Sequence, residues 1–248
     1  MLDTATGMLT GHRAHERFAL CSTFKLLLAA AVLQRVDAGR LRLDQRVPLS
    51  RADLVPHAPV AGPAIAQGGL DLETLTKAIQ TTSDNVAANV LMRLLGGPAA
   101  LTRWLRAQGD AHTRLDRWEP EMNRVGPGEE RDTTTPAAMA RSTARLVLGE
   151  VLQARSRERL QGWMVETETG LKRLRAGLPP GWRVGDKTGT GLSPAYRDKL
   201  NDVAVFWPPA GRAPLVVAAY YEGPVSGSGG IRDEDQAVLA GVGRWAAR

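Results

Sequence analysis

Cys21-Ser22-Thr23-Phe24-Lys25-Leu26-Leu27-Leu28-Ala29-Ala30-Ala31-Val32-Leu33-Gln34-Arg35-Val36-Asp37 is the stretch from which the rest of the chain is read. Its middle, Leu26 to Leu33, is continuously apolar. That run is far too short to cross a bilayer, which takes roughly 20 residues. As a helix closed by Gly39 it would show apolar side chains in every direction, the pattern of a helix buried on all faces. A lysine at the head of such a helix is costly, because burial disfavours its charge.

Such a helix needs cover. On its C-terminal side, periodicity predicts helices at Asp71–Thr82, Asp84–Leu95 (ending at Gly96-Gly97), Pro98–Gln108, Pro136–Leu148 and Leu152–Glu168. From Trp182 the pattern turns to short β-type runs, Trp182–Thr188, Val203–Trp207 and Leu215–Tyr221, before a last helix at Asp233–Ala247. Residues 1–18 hold a Thr/Gly turn and a short extended piece. Strands drawn from both ends of the chain predict an α+β fold of α/β/α layering, with a mainly antiparallel sheet flanked by helices. We expect residues 1–16 and 170–248 to form this α/β lobe. Residues 17–169 would form an all-helical lobe, with the active site in the cleft between them.

The chain has 248 residues, is 43% apolar and carries a net charge of +6. That surplus invites a nucleic-acid reading, but the arginines are scattered beside acids, as in Arg155-Ser156-Arg157-Glu158-Arg159, with no basic block interleaved with aromatics. Cys21 is the sole cysteine, so no internal disulfide is possible. His12, His15, His57 and His112 show no zinc-type spacing, which speaks against a metal-dependent hydrolase. The first residues show no basic and apolar leader, so no signal peptide is expected in this chain as given.

Four short motifs carry chemistry. Ser22-Thr23-Phe24-Lys25 sets a hydroxyl and an amine one turn apart on one helix face, where a desolvated lysine can activate the hydroxyl. Its bland reading is a capping serine and a lysine reaching for solvent. Ser83-Asp84-Asn85 lies between two helices and offers a second hydroxyl and an amide, or merely a helix cap. Lys187-Thr188-Gly189-Thr190-Gly191 ends a predicted strand, where small residues would let a substrate lie along the edge and a lysine with two hydroxyls would receive a carboxylate. Arg117-Trp118-Glu119-Pro120-Glu121-Met122-Asn123 opens a polar loop running to Asp132, where a carboxylate and an amide can hold and deprotonate a water. Each motif alone has an ordinary structural explanation.

In this order, and within the phrases Thr82-Ser83-Asp84-Asn85-Val86-Ala87-Ala88-Asn89 and Arg117-Trp118-Glu119-Pro120-Glu121, they resemble the class A serine β-lactamases, whose motifs are a standard example of sequence-readable catalysis. The resemblance implies an enzyme that hydrolyses β-lactam antibiotics through an acyl-enzyme on Ser22 and so confers resistance, with no cofactor and no metal. It implies an oxyanion hole from the backbone N–H groups of Ser22 and Thr190. Lys25 and a water on Glu119 are rival acylation bases. Ser83, aided by Lys187, would protonate the leaving nitrogen, and Glu119 with Asn123 would place the deacylating water. Asn85 would bind the acylamino carbonyl, and Lys187, Thr188, Gly189, Thr190 and Arg173 would line the carboxylate site. His57 falls at a gate position, and Arg117 with Asp132 would clamp the Ω loop. A β-lactam is the expected partner, with no nucleic acid or membrane, and the protein is expected to be a monomer that is periplasmic or secreted.

The sequence departs from the family in three places. About two dozen residues of a mature member, including the N-terminal helix, have no counterpart before the first motif. Val238, Leu239, Val242 and Trp245 are then expected to be more exposed than in a complete domain. The turn from Gly191 to Asn201 is longer than usual and borders the site. The strand after it lacks a carboxylate-binding arginine, for which Arg173 is the substitute. A penicillin-binding peptidase or a non-hydrolysing β-lactam receptor is the alternative, and Glu119 with Asn123 argues against both.

Overall fold

A computed structural model describes residues 1–226 and 230–248. Strand β1 (Leu2–Asp3) and β2 (Phe18–Ala19) lead to a 3-10 turn at Cys21–Thr23 and then α1 (Phe24–Asp37). Next come β3 (Arg46–Pro48), the short α2 (Ala61–Ala64), β4 (Gly69–Asp71), α3 (Leu72–Thr81), α4 (Asn85–Leu94) and α5 (Pro98–Ala107). The chain continues through β5 (Thr133–Thr134), α6 (Pro136–Val147) and α7 (Ala154–Val165). It ends with β6 (Arg183–Gly191), β7 (Lys199–Trp207), β8 (Leu215–Glu222) and α8 (Asp233–Ala246).

The region read as one helix from Cys21 therefore begins as a 3-10 turn. From Phe24 to Leu33 every residue of α1 is buried, Lys25 included. The sheet is antiparallel in the order β1-β8-β7-β6, which makes β6 an edge strand. Side chains alternate across a strand, and β7 shows what that does. Val203 and Val205 face the core shared with the helical block, while Ala204 and Phe206 face a second core with Leu239 and Ala246 of α8. The sheet is thus sandwiched between α8 and the helical block, the expected layering.

Three readings need correction. β6 runs on through Gly191, so the Lys187-Thr188-Gly189 motif lies inside the strand instead of ending it. β7 begins at Lys199, paired with Gly191, which shortens the long turn to residues 192–198. Both extensions are ladder bonds between chain segments that local composition does not reveal. On α8, Val238 and Trp245 are 44% and 45% exposed, but Val242 is partly covered and Leu239, expected among the exposed residues, is buried against the sheet.

Candidate active site

The 3-10 turn that carries Ser22 is entered through Cys21 at φ +44°, a left-handed conformation unusual for a side chain with Cβ. No side chain caps this helix start, so the capping reading of Ser22 fails. Its Oγ instead accepts from Lys25 Nζ at 3.0 Å and donates to Glu119 Oε1 at 3.3 Å. Both rival bases reach the same hydroxyl.

Lys25 Nζ has more acceptors than an ammonium has hydrogens. Besides Ser22 Oγ it meets Ser83 O at 2.8 Å, Ser83 Oγ at 3.4 Å, Asn85 Oδ1 at 2.5 Å and Glu119 Oε1 at 3.0 Å. Burial lowers its pKa from the usual lysine range, and the Glu119 charge opposes that fall. Glu119 is fixed from both ends. Asn123 Nδ2 donates to Oε2 at 2.6 Å, and Asn89 brackets the backbone, accepting from Glu119 N at 2.9 Å and donating to Glu119 O at 2.8 Å.

That role for Asn89 was missed in the sequence. Its signal is an amide four residues after Asn85 on α4, hence on the same helix face. In Ser83-Asp84-Asn85 the duties divide. Asp84 is the helix cap, accepting from Ala87 N, Val60 N and Ala61 N, which frees Ser83 and Asn85 for the cleft. Ser83 holds φ +62°, and its Oγ accepts from Lys187 Nζ at 3.1 Å, bringing the second lysine to the Ser83-Asp84-Asn85 motif. Lys187 is fully buried with its pKa pulled well below the ordinary value by burial and by the Lys25 charge, against the pull of Asp186 and Asp202.

Alternation sorts the β6 motif into two faces. Lys187, Gly189 and Gly191 look toward the nucleophile. A Cβ on Gly189 would lie 2.9 Å from Leu20 O and 3.1 Å from both Cys21 Cβ and Thr23 Cγ2. The glycine is there to let the strand approach Ser22, and not to make room for a substrate backbone as its smallness suggested. Asn201 ties the same place from β7, donating to Ala19 O and Leu20 O. The other face carries Thr188, whose hydroxyl bonds that of Thr169 at 2.8 Å, and Thr190.

Arg173 lies beside Thr190, only 3% exposed. It donates to Gly189 O, Asn201 O and Thr190 Oγ1 at 3.0, 2.9 and 2.7 Å. A surface arginine it is not. Behind it Asp186 pairs with Arg175 at 2.7 Å, and Asp202 accepts from Leu174 N at 3.1 Å. Burial pushes the Asp202 carboxyl up to about 6 and raises Asp186 as well.

The segment 117–132 is closed at its neck, where Arg117 Nε meets Asp132 Oδ2 at 2.5 Å. Asp132 Oδ1 also accepts from Asp116 N and Arg117 N, while Arg117 reaches forward to Arg124 O. His57 stands exposed at φ +62°, its Nε2 within 2.9 Å of Thr82 O and its carbonyl accepting from Asn85 N. Cys21 is fully buried, and burial pushes its thiol up to about 12. Among the described residues no three His, Cys, Asp or Glu side chains gather in a metal-ligating arrangement, and no helix is long and apolar enough to cross a membrane.

A profile of the β-lactamase enzyme family matches residues 1–247. β-Lactamase L2 of Stenotrophomonas maltophilia is 50% identical over 249 aligned positions, covering 100% of this chain and 79% of that relative. Among solved structures, an ancestral class A β-lactamase superposes with a TM-score of 0.92 at 53% identity, covering 99% of this chain and 90% of that one. A β-lactamase from Xanthomonas campestris gives 0.90 at 48% identity, over 98% and 87% of the two chains.

Proposed function

This chain belongs to the β-lactamase enzyme family, as a class A hydrolase of β-lactam amides, and on that premise we propose which of its residues perform the reaction. Ser22 Oγ attacks the lactam carbonyl carbon while its proton passes to Lys25 or to a water held by Glu119. The backbone N–H groups of Ser22 and Thr190 receive the oxyanion, where one such donor is typically worth about 2.7–4 kcal/mol. Collapse breaks the C–N bond, and the nitrogen takes a proton through Ser83 from the lysine pair on either side of it. Glu119 then deprotonates a water positioned with Asn123, and attack on the ester restores Ser22.

The observation that carries this reading is the position of Ser22 Oγ, within hydrogen-bond reach of both a buried amine and a buried carboxylate. A peptidase or receptor that keeps its ester has no use for the second. Asn85 would bind the acylamino carbonyl, and Thr188, Thr190 and Arg173, backed by Lys187, would hold the carboxylate. A planar guanidinium fork suits that group better than an ammonium. Gly189 serves the site by spacing the strand, His57 edges its mouth, and Arg117 with Asp132 keeps Glu119 in place. In the same reading the cleft lies between lobe 17–169 and the lobe of residues 1–16 and 170–248, and the enzyme works as a periplasmic or secreted monomer.

Glu119→Ala tests the assignment. Mixed with a penicillin, the variant should gain the mass of one ligand on Ser22 and retain it. Release at the parent rate would remove Glu119 from deacylation.

A further inference from the structure

The two N–H groups assigned to the oxyanion hole come from different walls, Ser22 from the turn that opens α1 and Thr190 from the edge strand β6. Their spacing is set by whatever holds that turn against the sheet. One row of residues does so. Gly189 of β6 pairs with Asn201 of β7, and Asn201 with Tyr220 of β8, so the three face the same side of the sheet. Gly189 supplies only closeness, as its missing Cβ showed. Tyr220 donates to Thr23 Oγ1 at 3.1 Å, because that hydroxyl has already given its hydrogen to Leu20 O at 2.7 Å. Asn201 acts on the backbone itself. Its Nδ2 donates to Ala19 O at 2.8 Å and to Leu20 O at 3.2 Å, from a side chain only 2% exposed. Two carbonyls facing one amide fix its orientation, since its oxygen could not face either of them.

These two bonds sit immediately before Cys21, whose left-handed φ of +44° a residue with Cβ keeps only where its surroundings hold it. We propose that Asn201 is a positioning residue for acylation. By holding the Ala19 and Leu20 carbonyls against β7, it fixes the Ser22 N–H at the distance from the Thr190 N–H that a tetrahedral oxyanion requires. Asn201 touches no substrate and acts through the backbone of residues 19–22. Lys25 and Glu119, which lie with Ser22 on the helical wall, keep their contacts to its hydroxyl when the turn drifts, so the alignment of the two N–H donors is what suffers. The inference rests on the oxyanion assignment made above.

The probe is a small arylboronic acid. Attack by Ser22 Oγ forms a B–O bond, the hydroxyl proton passes to the neighbouring base, and the tetrahedral boronate anion places an oxygen where the transition state places its oxyanion. Its inhibition constant is measured for the parent, Asn201→Leu and Asn201→Ala, beside kcat/KM for a β-lactam and for its carboxylate ester. Thermal melts establish which variants are folded, and Asn201→Ala carries the test if leucine is not accommodated. In the variants kcat/KM should fall on the order of 10- to 100-fold, the scale of a misplacement of up to about 1 Å. The fall should be equal for acid and ester, and the boronic acid should weaken in parallel. A folded, less stable variant with parent kcat/KM and parent boronate affinity would make Asn201 merely structural and overturn the proposal. So would a larger loss on the acid than on the ester, which would trace the effect to Arg173, bonded to the Asn201 carbonyl at 2.9 Å. Failure of the boronic acid to inhibit the parent would instead remove the oxyanion premise, and the inference with it.

Discussion

Both sides of the cleft hold a buried ion pair, Arg175 with Asp186 on the strand side, but they differ in how the cations nearest Ser22 are partnered. On the helical wall, cations and carboxylates are matched at contact distance, Lys25 with Glu119 at 3.0 Å and Arg117 with Asp132 at 2.5 Å. On the strand wall, Lys187 and Arg173 form no ion pair among the described residues. Lys187 spends its hydrogens on Ser83 Oγ and Thr188 O, and Arg173 on two carbonyls and a hydroxyl. A neutralised wall suits proton transfer, since moving a proton within a matched pair changes little net charge. A wall with positive charge left over attracts an anion. In the mechanism proposed above, the helical wall would hold both candidate bases, while the strand wall would bind the carboxylate and lend Lys187 to the protonation of the leaving nitrogen.

Three experiments can break that division. The largest effect is expected from Lys25→Met, which disrupts the matched wall. It should lower kcat/KM by about 10²–10⁴, the range of a lost acid–base group, and cost stability because Glu119 is left buried without its counter-charge. The loss should be the same for a β-lactam and for its carboxylate ester, because recognition is untouched. A loss below tenfold would assign the acylation proton to Glu119 and its water.

Arg173→Ala, on the other wall, should behave differently. Loss of a charge-assisted contact worth about 1.5–3 kcal/mol predicts a fall in kcat/KM on the order of 10- to 150-fold for the free acid. For the ester the fall should be much smaller, leaving only what Arg173 contributes by holding Gly189 O and Thr190 Oγ1. Equal losses on acid and ester would make Arg173 a structural residue and erase the contrast between the walls.

The smallest effect on turnover, and the clearest on stability, is expected from Asp202→Asn. A buried carboxyl raised from its usual value to about 6 stabilises the fold fully only while it is protonated. Stability should therefore fall as pH rises from about 4 through about 6, by about 3 kcal/mol for a two-unit shift. Melting temperature against pH should show that fall in the parent and a flattened curve in Asp202→Asn. Identical curves would mean that Arg173, Arg175 and Lys187 already compensate the ionised carboxylate.

Much of this site is legible in the sequence because its motifs are local. Ser22 and Lys25 are one helical turn apart, Glu119 and Asn123 share one loop, and α1 betrays its burial by an apolar run with no polar face. What stayed hidden depends on contacts between distant segments. The spacing from Asn85 marks Asn89 as sharing that residue's helix face, but only the fold shows that it grips the Glu119 backbone thirty residues away. Gly189 looked like room for substrate until its missing side chain proved to face Leu20 and Thr23. The ends of β6 and β7 are set by the ladder between them, so composition placed one too early and the other too late. Arg173, with Lys172 and Arg175 as neighbours in sequence, has the look of a solvated cluster. Only the fold shows its guanidinium turned inward.

Cys21 adds a practical property to the enzyme. The residue next to the nucleophile is a thiol, yet it has no exposed surface, and burial pushes its pKa up to about 12, which favours the neutral thiol. As the sole cysteine, it leaves the folded protein with no thiol accessible to thiol-directed reagents. A cysteine introduced on the surface would be the single addressable thiol, ready to carry a fluorophore that reports on the cleft during turnover.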